Sequence, residues 1–232
     1  MKIKETQIAE KVVKYLQQMG YDVYQEVKLY SRVCDIVAKL GNITWAIECK
    51  TSFGLSVMEQ AYKWKQNANY VSIAVPKVKN KFGYKICQDY GIGVFTLPYS
   101  GVFTLPYLEW ENIVERIKPK LNRNIGTSFM LFERQKTHCK AGTATGGYWT
   151  PFQETKKNLI KLVESNPGVT FAEAIKKIDH HYATVGGAKS ALRQWIGSSA
   201  IPELKCENIK GNVLQIFPKD FDTKCLYQNQ KK

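Results

Sequence analysis

The first part of the chain contains one helical and several strand-like hydrophobic patterns. Between Lys4 and Met19 the apolar residues recur every three or four positions, as on one face of an amphipathic helix, and Gly20 follows as a C-terminal stop. Short apolar or alternating segments then predict three strands, at 21–30, 32–39 and 43–50. The beginning of the chain is therefore predicted to be a helix followed by three strands.

Helices and strands alternate after the third predicted strand. Ser56 is a candidate N-terminal cap for a helix that ends near Asn67. An apolar run at 70–75 predicts a buried strand, and residues 80–90 again have helical spacing. This alternation predicts an α/β domain over residues 1–117.

Two segments of unusual composition lie between the two halves of the chain. The heptapeptide GVFTLPY occurs at 93–99 and again at 101–107, a period too short for a solenoid, and we assign no function to it. Residues 118–150 are basic and contain many Gly, Thr and Asn residues, which predicts a linker.

The pattern changes again after Pro151. Three helices are predicted, and Thr170 with Glu173 forms a capping box for the second of them. Two short strands separated by a Lys-Gly turn follow, which predicts a hairpin. Three helices and a hairpin are the elements of a winged helix-turn-helix domain, expected at 151–220 and followed by a tail at 221–232.

The composition narrows the choice of partners and compartment. The 232 residues include 34 basic and 20 acidic ones, and the net charge of +14 favours nucleic acid, with an anionic membrane surface as the weaker alternative. No apolar run has the length of a membrane span, and the N-terminus lacks the apolar region of a signal peptide, so we expect a cytoplasmic protein. The six cysteines have neither zinc-site nor disulfide-framework spacing.

Two otherwise apolar strand segments, VCDIVAK and WAIECK, contain acids and lysines. If residues 41–42 form a two-residue turn, paired residue numbers sum to 83, and Asp35 lies directly opposite Glu48. Opposed side chains about 4.5–5.5 Å apart place two carboxylates close enough to hold one divalent cation. The two-residue period of a strand puts Lys50 on the face of Glu48. We therefore expect a cation site on this face.

An acid of the first helix is a further candidate. At about 100° per residue, Glu5 falls at the centre of the apolar face, whereas Glu10 points about 150° away from it. Glu5 is therefore expected to face the sheet and Glu10 the solvent.

This arrangement resembles the PD-(D/E)xK nuclease superfamily, which includes archaeal Holliday-junction resolvases and many restriction endonucleases. The pattern D-x12-E-x-K lies on consecutive strands after a helix with an acid, and the resemblance covers roughly residues 4–98. It implies a restriction-endonuclease-like mixed central sheet flanked by helices, and hydrolysis of DNA phosphodiesters.

The resemblance also implies roles for single residues. Mg²⁺ or Mn²⁺ would be held by Asp35, Glu48 and the main-chain carbonyl of Cys49, with Lys50 at the scissile phosphate. Gln60, in MEQAYKW, stands where several such families carry a helix glutamine. The motif's proline is replaced by a cysteine, a departure that many active members share.

The predicted winged helix supplies candidate DNA contacts. Its second motif helix enters the major groove in such domains, and the hairpin forms the wing. The expected contacts from the helix, from the segment before it and from the wing are Lys189, Ser190, Arg193, Gln194, His180, His181, Tyr182, Lys205 and Lys210.

Together these observations predict a Mg²⁺-dependent deoxyribonuclease. Phrases such as EQAYKW, GGYWTPF and NPGVTFAEAI are similar to phage and prophage nucleases, which would place the protein in a host cytoplasm. A non-catalytic DNA-binding protein on a nuclease scaffold, and a resolvase of branched DNA, remain alternatives. The choice between DNA and RNA, and whether the chain forms a homodimer, are open at this point.

Overall fold

A computed structural model describes four stretches of the chain, residues 3–97, 113–143, 147–210 and 213–223, without the side chains of 209 and 210. These residues divide into two compact units, Met1–Trp149 and Thr150–Lys232. The second copy of GVFTLPY and the side chain of Lys210 lie outside the described residues.

The first unit is built on a six-stranded mixed sheet. Its elements are α1 (Glu5–Gln18), β1 (Asp22–Leu29), β2 (Arg32–Leu40), β3 (Ile43–Cys49), α2 (Leu55–Lys63), β4 (Tyr70–Val75), α3 (Lys81–Tyr90), β5 (Gly93–Thr96) and β6 (Val114–Ile117). The strands lie in sequence order, with β3, β4 and β5 parallel and the remaining pairs antiparallel. The predicted α/β class is therefore confirmed.

Each face of this sheet has its own hydrophobic core. Helix α1 covers one face with Ile8, Val12 and Leu16, which pack against strand residues that include Ile36 and Ile47. Helix α2 covers the opposite face, because the neighbouring strand residues point the other way and pack against it. The two helices therefore lie on opposite sides of the strands that carry Asp35 and Glu48.

Two predicted helix ends are confirmed, and one cap is wrong. Helix α1 ends before Gly20, which has a φ of 83°, and the Asn80 side chain accepts hydrogen bonds at the start of α3. Helix α2 instead begins after Gly54, so Ser56 is an exposed residue of its first turn. The helix also ends early, at Lys63, and continues as a short 3₁₀ turn.

The predicted linker at 118–150 is wrong, because its residues up to 149 belong to the first unit. The main-chain N–H groups of Lys120 and Asn122 donate hydrogen bonds to main-chain carbonyls of that unit, at 3.0 and 2.7 Å. Phe129 is buried in the core beside α2, and Ala141 in the core beside α1. Hydrogen bonds and isolated apolar side chains hold this segment, so it has no hydrophobic period that would have predicted its packing.

The second unit contains the three predicted helices and the predicted hairpin. Its elements are α4 (Pro151–Ser165), β7 (Val169–Thr170), α5 (Phe171–Lys177), α6 (Val185–Gly197), β8 (Leu204–Lys210) and β9 (Val213–Pro218). Strand β9 lies between β7 and β8 in an antiparallel sheet. Thr170 is confirmed as the N-terminal cap of α5, since its hydroxyl accepts a hydrogen bond from the Glu173 N–H at 3.2 Å. The capping box is not complete, because the Glu173 carboxylate accepts from that same hydroxyl at 2.8 Å. Strand β7 was not predicted, because two residues are too short for a pattern.

Two expectations from composition can be compared with the described residues. No helix among them combines the length and the apolar character needed to cross a membrane. The five cysteines they include are free thiols, and three of these are buried.

Candidate active site

The predicted register between β2 and β3 is confirmed. Leu40 pairs with Ile43 and Ile36 with Ile47, as expected for a turn at 41–42. Beyond Ile47 the main-chain N–H of Cys49 donates a hydrogen bond to Asp35 Oδ2 at 2.7 Å. The Asp35 carboxylate is therefore fixed by the neighbouring strand at the end of the paired region.

Asp35 and Glu48 form a buried pair of carboxyl groups. The two residues are only 8% and 3% exposed, and each carboxyl group changes the pKa of the other. Burial raises the pKa of both groups, and the charge of Asp35 raises the pKa of Glu48 further. Two such groups cannot both ionise at low cost unless a cation lies close to them.

Trp64 fixes the other side of Glu48. Its indole Nε1 donates a hydrogen bond to Glu48 Oε1 at 2.5 Å, and the residue is 2% exposed. The Arg32 guanidinium lies 4.5 Å from the centre of the indole ring, and the Phe129 ring packs against it at 5.4 Å. Sequence reasoning missed this contact, because a tryptophan within a predicted amphipathic helix is typical of a core residue.

Lys50 and Glu5 form an ion pair next to the buried carboxyl groups. Lys50 Nζ lies 3.1 Å from Glu5 Oε2, and both side chains are 30% exposed. Burial lowers the pKa of Lys50, but the carboxylates of Asp35 and Glu5 outweigh it, so the pKa is raised and the amine stays protonated. Glu10 instead forms an exposed pair with Lys14. The predicted orientations of the two helix acids are therefore confirmed.

The structure does not bring Gln60 into this cluster. Gln60 lies on the exposed surface of α2, and within the described part of the chain no hydrogen bond joins it to Asp35 or Glu48. Trp64, four residues later, makes the contact to Glu48 instead. The position of Gln60 thus gives no support for a catalytic role.

Glu26 is a third buried acid, which sequence reasoning missed. It is 5% exposed and lies on β1. Its two neighbours on β1 pair with the two neighbours of Asp35 on β2, so Glu26 lies opposite Asp35. Burial and the charge of Asp35 raise the pKa of Glu26 to about 7, although main-chain hydrogen bonds from residues 142 and 143 oppose the shift. The register of the β1–β2 hairpin, which places Glu26 opposite Asp35, was the available signal.

The donor chemistry of the buried pair fits a hard divalent cation. In the described residues no group of three His, Cys, Asp or Glu side chains has the arrangement of a complete metal site. Asp35 and Glu48 supply carboxylate oxygens, which are the preferred ligands of Mg²⁺, and this ion usually keeps several waters. A cation between them would also offset the cost of burial, which raises both pKa values.

Helix α6 carries two exposed cations of the second unit, Lys189 and Arg193. Its buried residues Ala188, Leu192 and Ile196 face the core, while the polar residues predicted to contact DNA are exposed. These exposed residues are Lys189, Ser190, Arg193 and Gln194. The face is compatible with a polyanionic ligand.

Two other groups of residues that were predicted to contact DNA already contact neighbouring side chains within the second unit. His181 Nδ1 lies 2.8 Å from the Thr155 hydroxyl, and the centre of its ring lies 4.1 Å from that of the Tyr182 ring. Lys205 is paired with Glu207 at 3.0 Å. These contacts account for the half-buried positions of His181 and Tyr182 without a ligand.

Comparison of the chain with protein families, characterised proteins and solved structures gave no match. The function is therefore inferred from the geometry of the site itself.

Proposed function

We propose that this protein is a metal-dependent deoxyribonuclease with a restriction-endonuclease-like first unit. The observation that carries the proposal is the buried pair of Asp35 and Glu48, where the pairing of β2 with β3 ends, with the Lys50–Glu5 ion pair beside it. Acids at this depth are costly unless they bind a cation or a proton. A protonated lysine next to them suits a substrate that is negatively charged.

The roles follow from what each side chain contacts. Asp35 and Glu48, with the main-chain carbonyl of Cys49, would hold Mg²⁺ or Mn²⁺. When bound, the cation supplies a water of lowered pKa and neutralises charge on the phosphate. The Lys50 ammonium stabilises the negative charge that develops on the phosphate oxygens, and Glu5 holds that ammonium in place. Trp64 keeps the Glu48 carboxylate oriented.

The second unit supports the choice of DNA as the substrate. We infer that it is a winged helix-turn-helix domain in which α6 enters the major groove and β8 and β9 form the wing. The exposed residues Lys189, Ser190 and Arg193 would contact phosphates and base edges. The net charge of +14 adds a sequence-independent attraction to DNA.

A panel of nucleic acids tests the proposal. The purified chain is incubated with plasmid, linear, branched and methylated DNA and with RNA, in Mg²⁺, in Mn²⁺ and in EDTA. We expect cleavage of at least one DNA in the presence of cation only, and none by the triple variant Asp35→Ala, Glu48→Ala, Lys50→Ala purified in parallel. If no nucleic acid is cut but DNA is bound, a non-catalytic DNA-binding role replaces the nuclease. Preferential cleavage of branched DNA identifies a resolvase.

A further inference from the structure

Residues 140–143 lie against the candidate site, although their sequence predicted a linker. The Gly142 N–H donates a hydrogen bond to Glu26 Oε1 at 2.7 Å, and the Ala141 N–H donates one to Gln25 Oε1 at 3.0 Å. Consecutive strand residues normally point to opposite faces. Glu26 has a φ of 52°, which is rare for a residue with a side chain. This irregularity interrupts the alternation of the strand and lets Gln25 and Glu26 reach the same segment.

Gly142 also touches the first turn of α1. A Cβ added at Gly142 would lie 2.9 Å from the carbonyl carbon of Glu5 and 3.0 Å from the main-chain nitrogen of Thr6. Both are backbone atoms, so the contact cannot relax by a side-chain rotation. The φ of 78° at Gly142 also favours glycine. Gly142 is therefore held between Glu26 on one side and Glu5 on the other.

A continuous series of contacts thus runs from Glu26 to the buried carboxyl pair. Glu26 binds Gly142, Gly142 packs on the backbone of Glu5, and Glu5 pairs with Lys50. The positive charge of Lys50 in turn lowers the pKa of Asp35. Each step is a direct hydrogen bond, ion pair, packing contact or charge interaction within the first unit.

We propose that Glu26 is a positioning residue, which holds Gly142 against α1 and so fixes Glu5 and Lys50 at the site. This inference rests on the proposed nuclease function. A role of Glu26 as a further cation ligand is less favoured, because the described acids include no group of three with the arrangement of a metal site. The Glu26 carboxylate is instead occupied by main-chain N–H groups of the segment it holds.

Two substitutions of Glu26 distinguish these roles. Glu26→Gln keeps an Oε1 that accepts the hydrogen bond from Gly142, whereas Glu26→Ala removes it. If Glu26 positions the segment, Glu26→Gln stays within about twofold of wild-type kcat and Glu26→Ala falls at least about tenfold, with the KM for DNA unchanged. If Glu26 binds the cation or a proton of the reaction, both variants lose activity. Equal loss in both, or full activity in both, overturns the proposal.

A glycine variant tests the contact from its other side. Gly142→Ala should displace Glu5 and reduce kcat. Gly41→Ala, at a similar positive φ of 57° and with no atom of the described residues within 4 Å of the added Cβ, should leave kcat unchanged. The loss should also depend on Glu5. In a Glu5→Gln background, Gly142→Ala should therefore cost less than about a further twofold. Additive losses would show that the segment does not act through Glu5.

Amide hydrogen exchange separates failure of this inference from failure of the nuclease proposal. The Gly142 amide should be protected in the wild type and in Glu26→Gln, and should exchange at least about tenfold faster in Glu26→Ala. This measurement requires no cleavage. If exchange follows this pattern and no variant cuts any DNA, the nuclease proposal fails while the contact stands. If exchange is equal in all three proteins, the positioning role is refuted.

Discussion

The hydrogen bond from Trp64 to Glu48 allows a quantitative test of the site. Trp64→Phe keeps a ring under the Arg32 guanidinium but removes the indole N–H from a buried carboxyl group. A hydrogen bond to an ionised group contributes about 1.5–3 kcal/mol. Because this bond favours the ionised form of Glu48, its loss should raise the pKa of Glu48 by a further one to two pH units or so.

The consequence is measurable as binding of Mn²⁺ against pH. A cation competes with the proton for Glu48, so in Trp64→Phe the affinity should fall by about tenfold to about a hundredfold on the acidic side. The affinity for Mn²⁺ should therefore rise at a higher pH in Trp64→Phe than in the wild type. Isothermal titration with Mn²⁺ between pH 6 and pH 9 is the assay.

Trp45→Phe is the matched control for this substitution. Trp45 is also buried, and its indole donates a hydrogen bond to the Ser72 hydroxyl at 2.9 Å, away from the acids. It should lose thermal stability but bind Mn²⁺ as the wild type does. If both variants bind alike at every pH, Trp64 does not orient a cation ligand and the reasoning is refuted.

Three further predictions concern single residues. The free energy of unfolding should fall as pH rises from about 4.5 to about 7, because the raised pKa of Glu26 lets the folded state keep a proton that the unfolded state has lost. Thermal melting should show a smaller fall in Glu26→Gln. Glu5→Gln should lower the cleavage rate at least tenfold, about 1.4 kcal/mol in barrier, and Glu10→Gln should leave it unchanged in a parallel assay; the reverse ranking would contradict the geometry. Arg193→Ala should weaken DNA binding and reduce its salt dependence more than Lys161→Ala on α4, as measured by fluorescence titration; equal effects would remove α6 from the interface.

The carboxyl pair and its strands could be predicted because local rules determine them. A two-residue turn fixes the register of a hairpin, so the pairing of Ile36 with Ile47 followed from counting along the chain. The regular angle of a helix likewise predicted the different environments of Glu5 and Glu10. In both cases the relevant residues lie on one regular element or on two consecutive ones.

The surroundings of the pair could not be predicted, because they depend on contacts between distant parts of the chain. Glu26 is held by Gly142, more than a hundred positions away, in a segment without hydrophobic periodicity. Trp64 contacts Glu48 from the 3₁₀ turn that follows α2, where the sequence predicted a continuous helix. The expected role of Gln60 came from a resemblance in position along the chain, and the structure places that residue on the surface.

Single-turnover cleavage by Asp35→Asn tests the central claim most directly. Asparagine keeps an oxygen that accepts the hydrogen bond from the Cys49 N–H, so the fold and DNA binding should be retained. Removing the charge of one cation ligand should slow cleavage at least about a hundredfold, about 2.7 kcal/mol in barrier, and EDTA should stop cleavage by the wild type. Wild-type cleavage that continues in EDTA, or an Asp35→Asn variant that cuts DNA at the wild-type rate, would contradict a cation held by Asp35 and Glu48.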